Sequence, residues 1–365
     1  MDLKEVLREY ALAWAPSGHE REMACLLKNR LAPYCDALSV DRVGNVIGLI
    51  RGTSEIAPKV MVFAHMDSLG FVVRNVDANG FLRIERLGGI PEKVLPGLKV
   101  AVQSNKGGCV YGVIGMRSHH STPAEEKYVA EKIGALYVDI GAGSREEALQ
   151  AGVDIGCFVT YKPEFQELLG SKVSATAVDN RGGCLAITKL AQLLHKNRPA
   201  CSVYLVGTVW EEFNLRGAMM AARSIQPDVA IALDVCLTGD QPGGNSDLFP
   251  VKVSGGPTLT YYNFHGRGTL NGTIAHPGMA QLALDSAKSQ GITLQKFAST
   301  GMLTDLSYLQ LEQEGVAVLD MGFPARYTHT PIEVCDLTDI AQPSEVVHTM
   351  LCRIDHTFSL NRYDI

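Results

Sequence analysis

The 365-residue sequence lacks several features that would place it in other protein classes. No apolar run approaches the roughly 18 residues that cross a bilayer, so no membrane partner is expected. The formal net charge is −6 and the Lys and Arg residues are scattered singly, which argues against nucleic acid as a partner. Nine cysteines show neither a C-x-x-C pair nor a compact disulfide spacing, so reduced, mostly buried thiols are predicted. The N-terminal residues lack the apolar core of a signal peptide, which predicts a cytoplasmic location.

The composition that remains is typical of a globular enzyme. Hydrophobic residues make up 46% of the chain and charged residues 20%. The 36 glycines exceed the usual share of roughly 7%, which indicates many tight turns and close backbone approaches. The length fits either two domains or one large domain with an insertion.

The hydrophobic pattern predicts an α/β architecture. Helical spacing predicts a helix over Asp2–Trp14, the S-x-x-E pattern of Ser17–Glu20 predicts a capped second helix, and Lys59–Ala64 is typical of a buried strand. The later alternating segments are helices over Arg181–Leu194, Leu215–Ser224, Pro277–Ser289 and Pro343–Phe358, and strands over Ser202–Val209, Val229–Leu233 and Val316–Leu319. Such alternation predicts a largely parallel sheet covered by helices.

A β-rich insert interrupts this pattern. Between residues 69 and 174 short β-like runs are separated by Gly and Pro, so we expect a discontinuous main domain of residues 1–68 and 175–365. Within the insert, Ser144–Glu147 has the form of a capping box and predicts one short helix. The adjacent His119 and His120 are expected to be an exposed loop pair, although a contact with a neighbouring subunit's site is the alternative.

Short acidic and histidine motifs fall where strands should end, which is where open α/β sheets place their sites. The first motif puts His65 at a strand end, where imidazole can bind Zn²⁺ and Asp67 can orient the ring. Alone, this H-x-D pattern is equally compatible with chance. The second motif contains Asp179 and Asn180, either of which could simply cap the next helix, and two following glycines that suggest close packing.

Two further acidic motifs follow apolar strands. Because successive residues leaving a strand point in different directions, one carboxylate of the Glu211–Glu212 pair can bind a metal while the other faces substrate as a general base. A solvated helix start is the alternative. Asp234 ends another apolar strand with the same ambiguity, and a late loop stiffened by prolines supplies His329.

Together the motifs provide the side chains of a two-metal hydrolytic site. The candidate ligands are His65, Asp179, Glu212, Asp234 and His329. Three ligating carboxylates and Glu211 carry four negative charges, which two divalent cations would balance and which would otherwise repel one another.

These motifs, in this order and with this long spacing, resemble the tetrahedral (TET) aminopeptidase and glutamyl aminopeptidase family of co-catalytic metallopeptidases, which includes FrvX-like proteins formerly labelled endoglucanases. The resemblance covers nearly the whole chain. It implies a three-layer α/β/α zinc-peptidase-like catalytic domain with an inserted β-rich, PDZ-like dimerisation domain. It also implies short-peptide substrates, two divalent metal ions per subunit, foremost Zn²⁺ with Co²⁺ or Mn²⁺ as alternatives, and a homo-oligomer of dimers such as a dodecamer.

The resemblance also implies a role for each site residue. Asp179 would bridge the two metals. His65 and Asp234 would complete one site, and Glu212 and His329 would complete the other. Glu211 would act as the general base towards a water that the metals activate, and Asp67 would be the partner that orients His65.

The chain departs from the family pattern at two places near the site. Asn214 replaces a glycine, and Asn is tolerable if that position needs a positive φ. The family's Gly-Gly-Thr-Asp-Ala becomes bulkier in Gly301–Leu306, which leaves the preferred first residue open, with Lys252 and Arg326 as candidate pocket cations. A dinuclear deacylase or dipeptidase is the alternative enzyme, a requirement for a free α-amine separates the two, and a silent oligomeric peptidase-fold module is a further alternative.

Overall fold

The computed structural model describes residues 1–266 and 272–363. The α-helices are α1 (Leu3–Leu12), α2 (Arg21–Leu31), α3 (Arg145–Gln150), α4 (Val178–Lys196), α5 (Gly217–Ile225), α6 (Pro277–Ser289), α7 (Leu306–Leu309) and α8 (Leu337–Leu351). The first nine strands are β1 (Ala37–Val40), β2 (Val46–Ile50), β3 (Lys59–His65), β4 (Gly70–Val76), β5 (Leu82–Leu87), β6 (Lys99–Gln103), β7 (Cys109–Gly115), β8 (Tyr137–Asp139) and β9 (Phe158–Tyr161). The others are β10 (Phe165–Glu167), β11 (Lys172–Ala175), β12 (Ser202–Thr208), β13 (Val229–Leu237), β14 (Thr258–Phe264), β15 (Gly272–Ile274), β16 (Gln295–Thr300), β17 (Ala317–Arg326) and β18 (Glu333–Asp336).

One large mixed sheet forms the frame of the molecule. Its strand order is β1-β2-β12-β3-β13-β17-β18-β11-β10, and β14 joins β15 and β16 to it through β17. The central neighbours β12, β3, β13 and β17 are parallel, whereas β1–β2, β10–β11 and β17–β18 are antiparallel. Parallel pairing is therefore found at the centre of the sheet and between β14 and β16, and the sheet as a whole is mixed. Short connections join the strands of the pairs β1–β2, β10–β11 and β17–β18, which suits antiparallel pairing because a parallel pair needs a long crossover.

Helices cover both faces of this sheet. Along β3, Val60, Val62 and Ala64 belong to one apolar cluster, while Met61 and Phe63 belong to another. Because alternate residues of a strand point to opposite faces, the two clusters lie on opposite sides of the sheet. The first cluster includes α1, α2, α4, α6 and α8, and the second includes α5 and α7, so the protein has three layers. Among the helices of the described residues, none has both the length and the apolar character needed to cross a membrane.

A small closed barrel lies within the predicted insert. Strands β4, β5, β8, β7, β6 and β9 close on one another around their own apolar cluster, which includes Phe71, Leu82 and Val159. The predicted short helix is present as α3, where the hydroxyl of Ser144 accepts the backbone N–H of Glu147 at 3.2 Å. The domain limits and the PDZ-like assignment stay predictions.

Two helix starts differ from the sequence-based expectation. Ser17 does not cap α2, because its hydroxyl donates to the carboxylate of Asp67 at 2.5 Å, and Glu20 occupies the N-cap position. The closing helix begins at Leu337, six residues before the predicted Pro343, because Asp336 caps it by accepting the N–H of Thr338. A contact with a residue distant in sequence removes Ser17 from the start of α2, whereas a local cap by Asp336 sets the start of α8.

Candidate metal centre and active site

The carboxyl ends of the central parallel strands bring the candidate side chains to one edge of the sheet. His65 is the last residue of β3, and Glu211 and Glu212 lie just after β12. His329 lies three residues after β17. Asp234 differs from the prediction, because β13 continues to Leu237 and leaves the carboxylate inside the strand rather than at its end. The same edge still collects all of these side chains.

Asp179 reaches this edge from the start of α4, where its backbone and that of Asn180 are not helical. The side-chain amide of Asn180 donates to the carbonyl of Leu233 at 2.9 Å, and its oxygen accepts the N–H of Gly183 at 2.9 Å. Asn180 therefore accepts a free backbone N–H group at the start of α4 and attaches this start to β13. The capping role considered for this motif belongs to Asn180, and Asp179 is left to face His65.

The five candidate ligands form two groups that share one carboxylate. His65, Asp179 and Asp234 make the first group, and Asp179, Glu212 and His329 make the second. Within each group, one donor atom from every residue lies within 4.8 Å of the others. The Nε2 atom of His65 is 3.0 Å from Oδ1 of Asp179, and Nε2 of His329 is 3.6 Å from Oδ2 of the same carboxylate. Each group has donor types and a spacing that could hold a metal ion.

Each histidine ring is oriented by a backbone carbonyl. Nδ1 of His65 lies 3.0 Å from the carbonyl oxygen of Asp67, and Nδ1 of His329 lies 2.7 Å from that of Gly89. When Nδ1 donates to a carbonyl, Nε2 of the neutral ring is available as a metal ligand. Gly89 follows β5, so the barrel segment contributes to the orientation of His329.

Asp67 has a second task besides its predicted contact with His65. One oxygen lies 3.5 Å from Nδ1 of that ring. The fully buried carboxylate also accepts the N–H groups of Glu211 and Glu212, each at 3.1 Å, and the hydroxyl of Ser17. Asp67 therefore holds the loop that carries both glutamates against β3.

Glu333 is a site residue that the sequence-based prediction missed. Its buried carboxylate accepts the N–H of Asp179 at 2.9 Å and the N–H of His329 at 2.8 Å. One side chain thus fixes the backbone of a candidate ligand 154 positions away and of another four positions away. The only signal in the sequence is that this acidic residue lies four positions after His329, in the proline-stiffened loop that supplied that candidate ligand.

The buried carboxylates are costly to ionise together. Burial, with the charges of Glu212 and Asp234, raises the pKa of Glu211 well above its ordinary value. Burial also raises the pKa of Asp234 well above its ordinary value, and the pKa of Glu212 to about 7. Asp179 behaves differently, because the hydrogen bond and charge of His65 outweigh burial and lower its pKa.

The histidines show the complementary effect. Burial opposes protonation of His329, but Glu212 and Asp179 raise its pKa to about 9. The cluster thus attracts positive charge, which divalent cations would supply in place of protons. Imidazole and carboxylate donors are also the ligands that Zn²⁺ takes in catalytic sites, so the residues present fit the implied metals.

The loops around the site contain left-handed backbone at residues other than glycine. The residues concerned have φ between 56° and 69° and are Ala177, Trp210, Asn214, Leu215, Tyr327 and His329. Asn214, at 69°, has the positive φ for which Asn is a tolerable replacement of glycine. Such conformations persist only where surrounding contacts enforce them, and they concentrate at functional sites.

Other residues considered from the sequence lie apart from this cluster. His119 and His120 are exposed, with ring centroids 5.9 Å apart. Arg326 makes a two-point ion pair with Asp240. Lys252 is exposed.

Comparisons with known proteins agree with this arrangement. Residues 44–346 match the family described as M42 glutamyl aminopeptidase. The chain is 32% identical to the lysyl aminopeptidase of Pyrococcus furiosus, covering 95% of this chain and 96% of that protein. Its structure resembles aminopeptidase APDkam598 of Desulfurococcus kamchatkensis, with a TM-score of 0.91, 31% identity and 98% and 96% of the two chains covered.

A second solved structure bears on assembly. The TET1 peptidase of Pyrococcus horikoshii, described as assembling into a tetrahedron or a large octahedral shell, matches with a TM-score of 0.82 and 26% identity over 96% of this chain and 99% of that one. The family resemblance found in the sequence motifs is confirmed, and so is a peptidase hydrolase activity. The chain belongs to the M42 glutamyl aminopeptidase family, a family of metallopeptidases.

Proposed function

We propose that the protein is a dinuclear metal aminopeptidase that removes N-terminal residues from short peptides. The observation that carries the proposal is the pair of donor groups joined by Asp179. His65 and Asp234 would complete one cation site, and Glu212 and His329 the other. Zn²⁺ is the cation we propose, and Co²⁺ and Mn²⁺ take the same ligand types.

Glu211 is the residue we assign as general base. Its side chain, 11% exposed, lies at the edge of the cluster with Oε2 3.9 Å from Nε2 of His65, and it belongs to neither donor group. Bound divalent cations would lower the pKa of a water molecule and polarise the peptide carbonyl. Glu211 would accept the proton of the attacking water and return it to the departing amine. Asp67 would keep Glu211 in place through its backbone N–H.

Hydrolysis of aminoacyl-p-nitroanilides, free and N-acetylated, tests the reaction class. The protein reconstituted with Zn²⁺ is compared with the same preparation after treatment with a chelator. We expect chelator-sensitive cleavage of the free-amine substrates only. Cleavage of only the acetylated substrates would contradict the proposal in favour of a deacylase, and no cleavage by protein with two bound metals would favour a silent module.

Two substitutions separate the assigned roles. Glu211→Gln should reduce turnover about 10²–10⁴-fold while metal content stays near two per chain, because only the proton acceptor is removed. Asp179→Ala should lose both metals, because it removes the shared donor. Glu164→Gln, at a carboxylate that is 60% exposed, is the control and should change neither property. Substantial activity in Glu211→Gln would show that the base is another group.

The barrel segment is proposed to be the dimerisation domain, residues 69–174, inserted in a catalytic domain of residues 1–68 and 175–365. In support, the barrel has its own apolar cluster, and its surface exposes Tyr111, Val113 and Met116. We propose a homo-oligomer of dimers, as large as the dodecamer that the sequence resemblance implies. Light scattering should give a multiple of the 39.4 kDa chain that falls in a Tyr111→Glu/Val113→Lys variant. A cytoplasmic location stays a prediction of the sequence.

A further inference from the structure

The candidate ligands and Glu211 line one side of a cavity of about 600 Å³. Another part of its lining is apolar and consists of Leu215, Val235, Leu237, Met302 and Leu303, with Tyr308 beside them. The apolar side chains come from three elements, the loop before α5, the end of β13 and the loop before α7. A substrate whose reacting bond lies at the ligands would therefore have apolar surface close to its first side chain.

The loop with Met302 and Leu303 is anchored rather than free to withdraw. Met302 packs against the small buried cluster of Cys236, Val251 and Phe297. Both Met302 and Leu303 are half-buried, so each keeps part of its surface towards the cavity. After them, Asp305 is buried and accepts the hydroxyl of Thr208 at 3.2 Å, which ties this segment to β12.

The described lining holds no charge that is free to recognise a charged side chain. Its four carboxylates are the candidate ligands Asp179, Glu212 and Asp234, together with Glu211. Within residues 1–266 and 272–363 no Lys or Arg belongs to the lining. The two candidate cations are elsewhere, since Arg326 is paired with Asp240 and Lys252 is exposed and absent from the lining. His265 also lines the cavity, and Arg267, close to it in sequence, lies outside the described residues.

We propose that Met302 and Leu303 contact the side chain of the substrate's first residue and that the enzyme selects neutral, apolar first residues such as Leu and Met over Glu and Lys. A charged first side chain would lose hydration against apolar groups without gaining a counter-charge. An apolar side chain gains by burial against the same surface. This inference rests on the proposed aminopeptidase activity and narrows its substrates.

The test is kcat/KM for the p-nitroanilides of Leu, Met, Ala, Glu and Lys, measured with the Zn²⁺-reconstituted protein. We expect the Leu and Met substrates to exceed the Glu and Lys substrates by at least about tenfold. A preference for Glu or Lys would overturn the inference while leaving the aminopeptidase activity intact. If Glu is preferred and Arg267→Ala abolishes that preference, Arg267 is the determinant instead. Failure to cleave any of the five substrates would contradict the proposed function itself.

A positive charge placed at Leu303 tests independently whether this residue contacts the first side chain of the substrate. Leu303→Lys should lower kcat/KM for the Leu substrate and raise it for the Glu substrate, so that their ratio falls at least about tenfold. Leu311→Lys adds the same charge at a residue that is 56% exposed and outside the cavity lining, and it should leave the ratio unchanged. Equal ratios in the two variants would overturn the role of Leu303. The wild-type substrate panel decides the question even if Leu303→Lys does not fold.

Discussion

At the scale of single residues, buried carboxylates that belong to neither donor group hold the candidate ligands in position. Asp67 accepts two backbone N–H groups from the loop of Glu211 and Glu212. Glu333 accepts one from Asp179 and one from His329. A carboxylate can accept several N–H groups at once, whereas an amide presents its NH₂ group to one of them. The acid, rather than a polar side chain of similar shape, is therefore required at both positions.

Glu333→Gln should weaken metal binding because one of the two N–H groups would then face an NH₂ group. We expect affinity for Zn²⁺ to fall about 10–100-fold, the range typical when a group that supports metal ligands is changed. Competition with a chromophoric chelator measures the affinity, and circular dichroism checks the fold. Glu164→Gln, at an exposed carboxylate, serves as the control. Unchanged affinity in Glu333→Gln would contradict the positioning role.

The sequence predicted the ligand types better than the contacts that orient them. His65 and Glu212 could be predicted as ligands because each ends or follows an apolar strand, and His329 because it lies in a loop stiffened by prolines, both of which are local patterns. The contact between Asp67 and Glu211 joins residues 144 positions apart, and that between Glu333 and Asp179 spans 154. Such contacts depend on how strands register in the folded sheet, which no local pattern specifies.

At the scale of elements, α4 approaches the sheet closely through its glycines. A Cβ atom at Gly183 would lie 2.3 Å from the carbonyl oxygen of Leu233 and 2.3 Å from Oδ1 of Asn180. One at Gly182 would lie 2.3 Å from the ring of Phe323. The close packing that the sequence suggested for this pair of glycines is confirmed. It lets the Asn180 amide reach β13 and places Asp179 beside the strand ends.

Gly183→Ala should therefore destabilise the protein, since neither the strand carbonyl nor the anchored Asn180 can move freely. We expect a loss of at least ~1–3 kcal/mol in the free energy of unfolding, as for other overpacked cores. Gly134→Ala is the matched control, because a Cβ there meets nothing within 4 Å, and it should stay within ~1 kcal/mol of wild type. Urea denaturation of both variants provides the comparison. A Gly183→Ala protein as stable as the control would mean that α4 can shift at little cost.

The barrel segment also takes part in the site through the loop after β5. The carbonyl of Gly89 is the partner of Nδ1 of His329, and Tyr161 donates its hydroxyl to the carbonyl of His329 at 3.4 Å. A segment predicted only as a dimerisation insert thus orients one of the candidate ligands. The contact between Gly89 and His329 joins residues 240 positions apart, and the local sequence around Gly89 does not predict it.

Gly89→Ala should disturb one cation site more than the other. Its Cβ would lie 3.3 Å from both Cε1 and Nδ1 of His329, close enough to displace the ring. At limiting Zn²⁺ we expect the bound metal to fall from two towards one per chain, with the remaining ion held by the group of His65. Mass spectrometry of the native protein counts the ions, and Gly134→Ala is again the control. Equal loss at both sites would show that the ring position is not the cause.

At the scale of the whole molecule, the site joins the two layers of helices, the central sheet and the barrel at one point. The three-layer frame could be predicted because strand and helix patterns alternate along the chain. The closed barrel could be predicted only as a β-rich segment, since closure depends on pairing between β4 and β9, strands that are far apart in sequence. Metal binding at such a junction should stabilise the entire fold, because the ligands come from segments spread over the chain.

The free energy of unfolding of the wild-type protein should accordingly rise with Zn²⁺ concentration, by ~2.7 kcal/mol at one hundred times Kd.

For Asp234→Asn, the difference in Tm between variant and wild type should change sign between the metal-free and the Zn²⁺-bound protein. Asn keeps an oxygen that can accept the N–H of Val235, now at 2.8 Å from Asp234, but removes a buried charge near Asp179 and Glu211. With chelator present we expect Tm of the variant to equal or exceed that of the wild type, because Asn removes the cost of burying an ionisable carboxyl beside other acids. With Zn²⁺ present it should be lower, because a donor is lost. Scanning calorimetry under both conditions measures the crossing, and a variant that is less stable under both would show that Asp234 contributes to the fold through contacts other than metal binding.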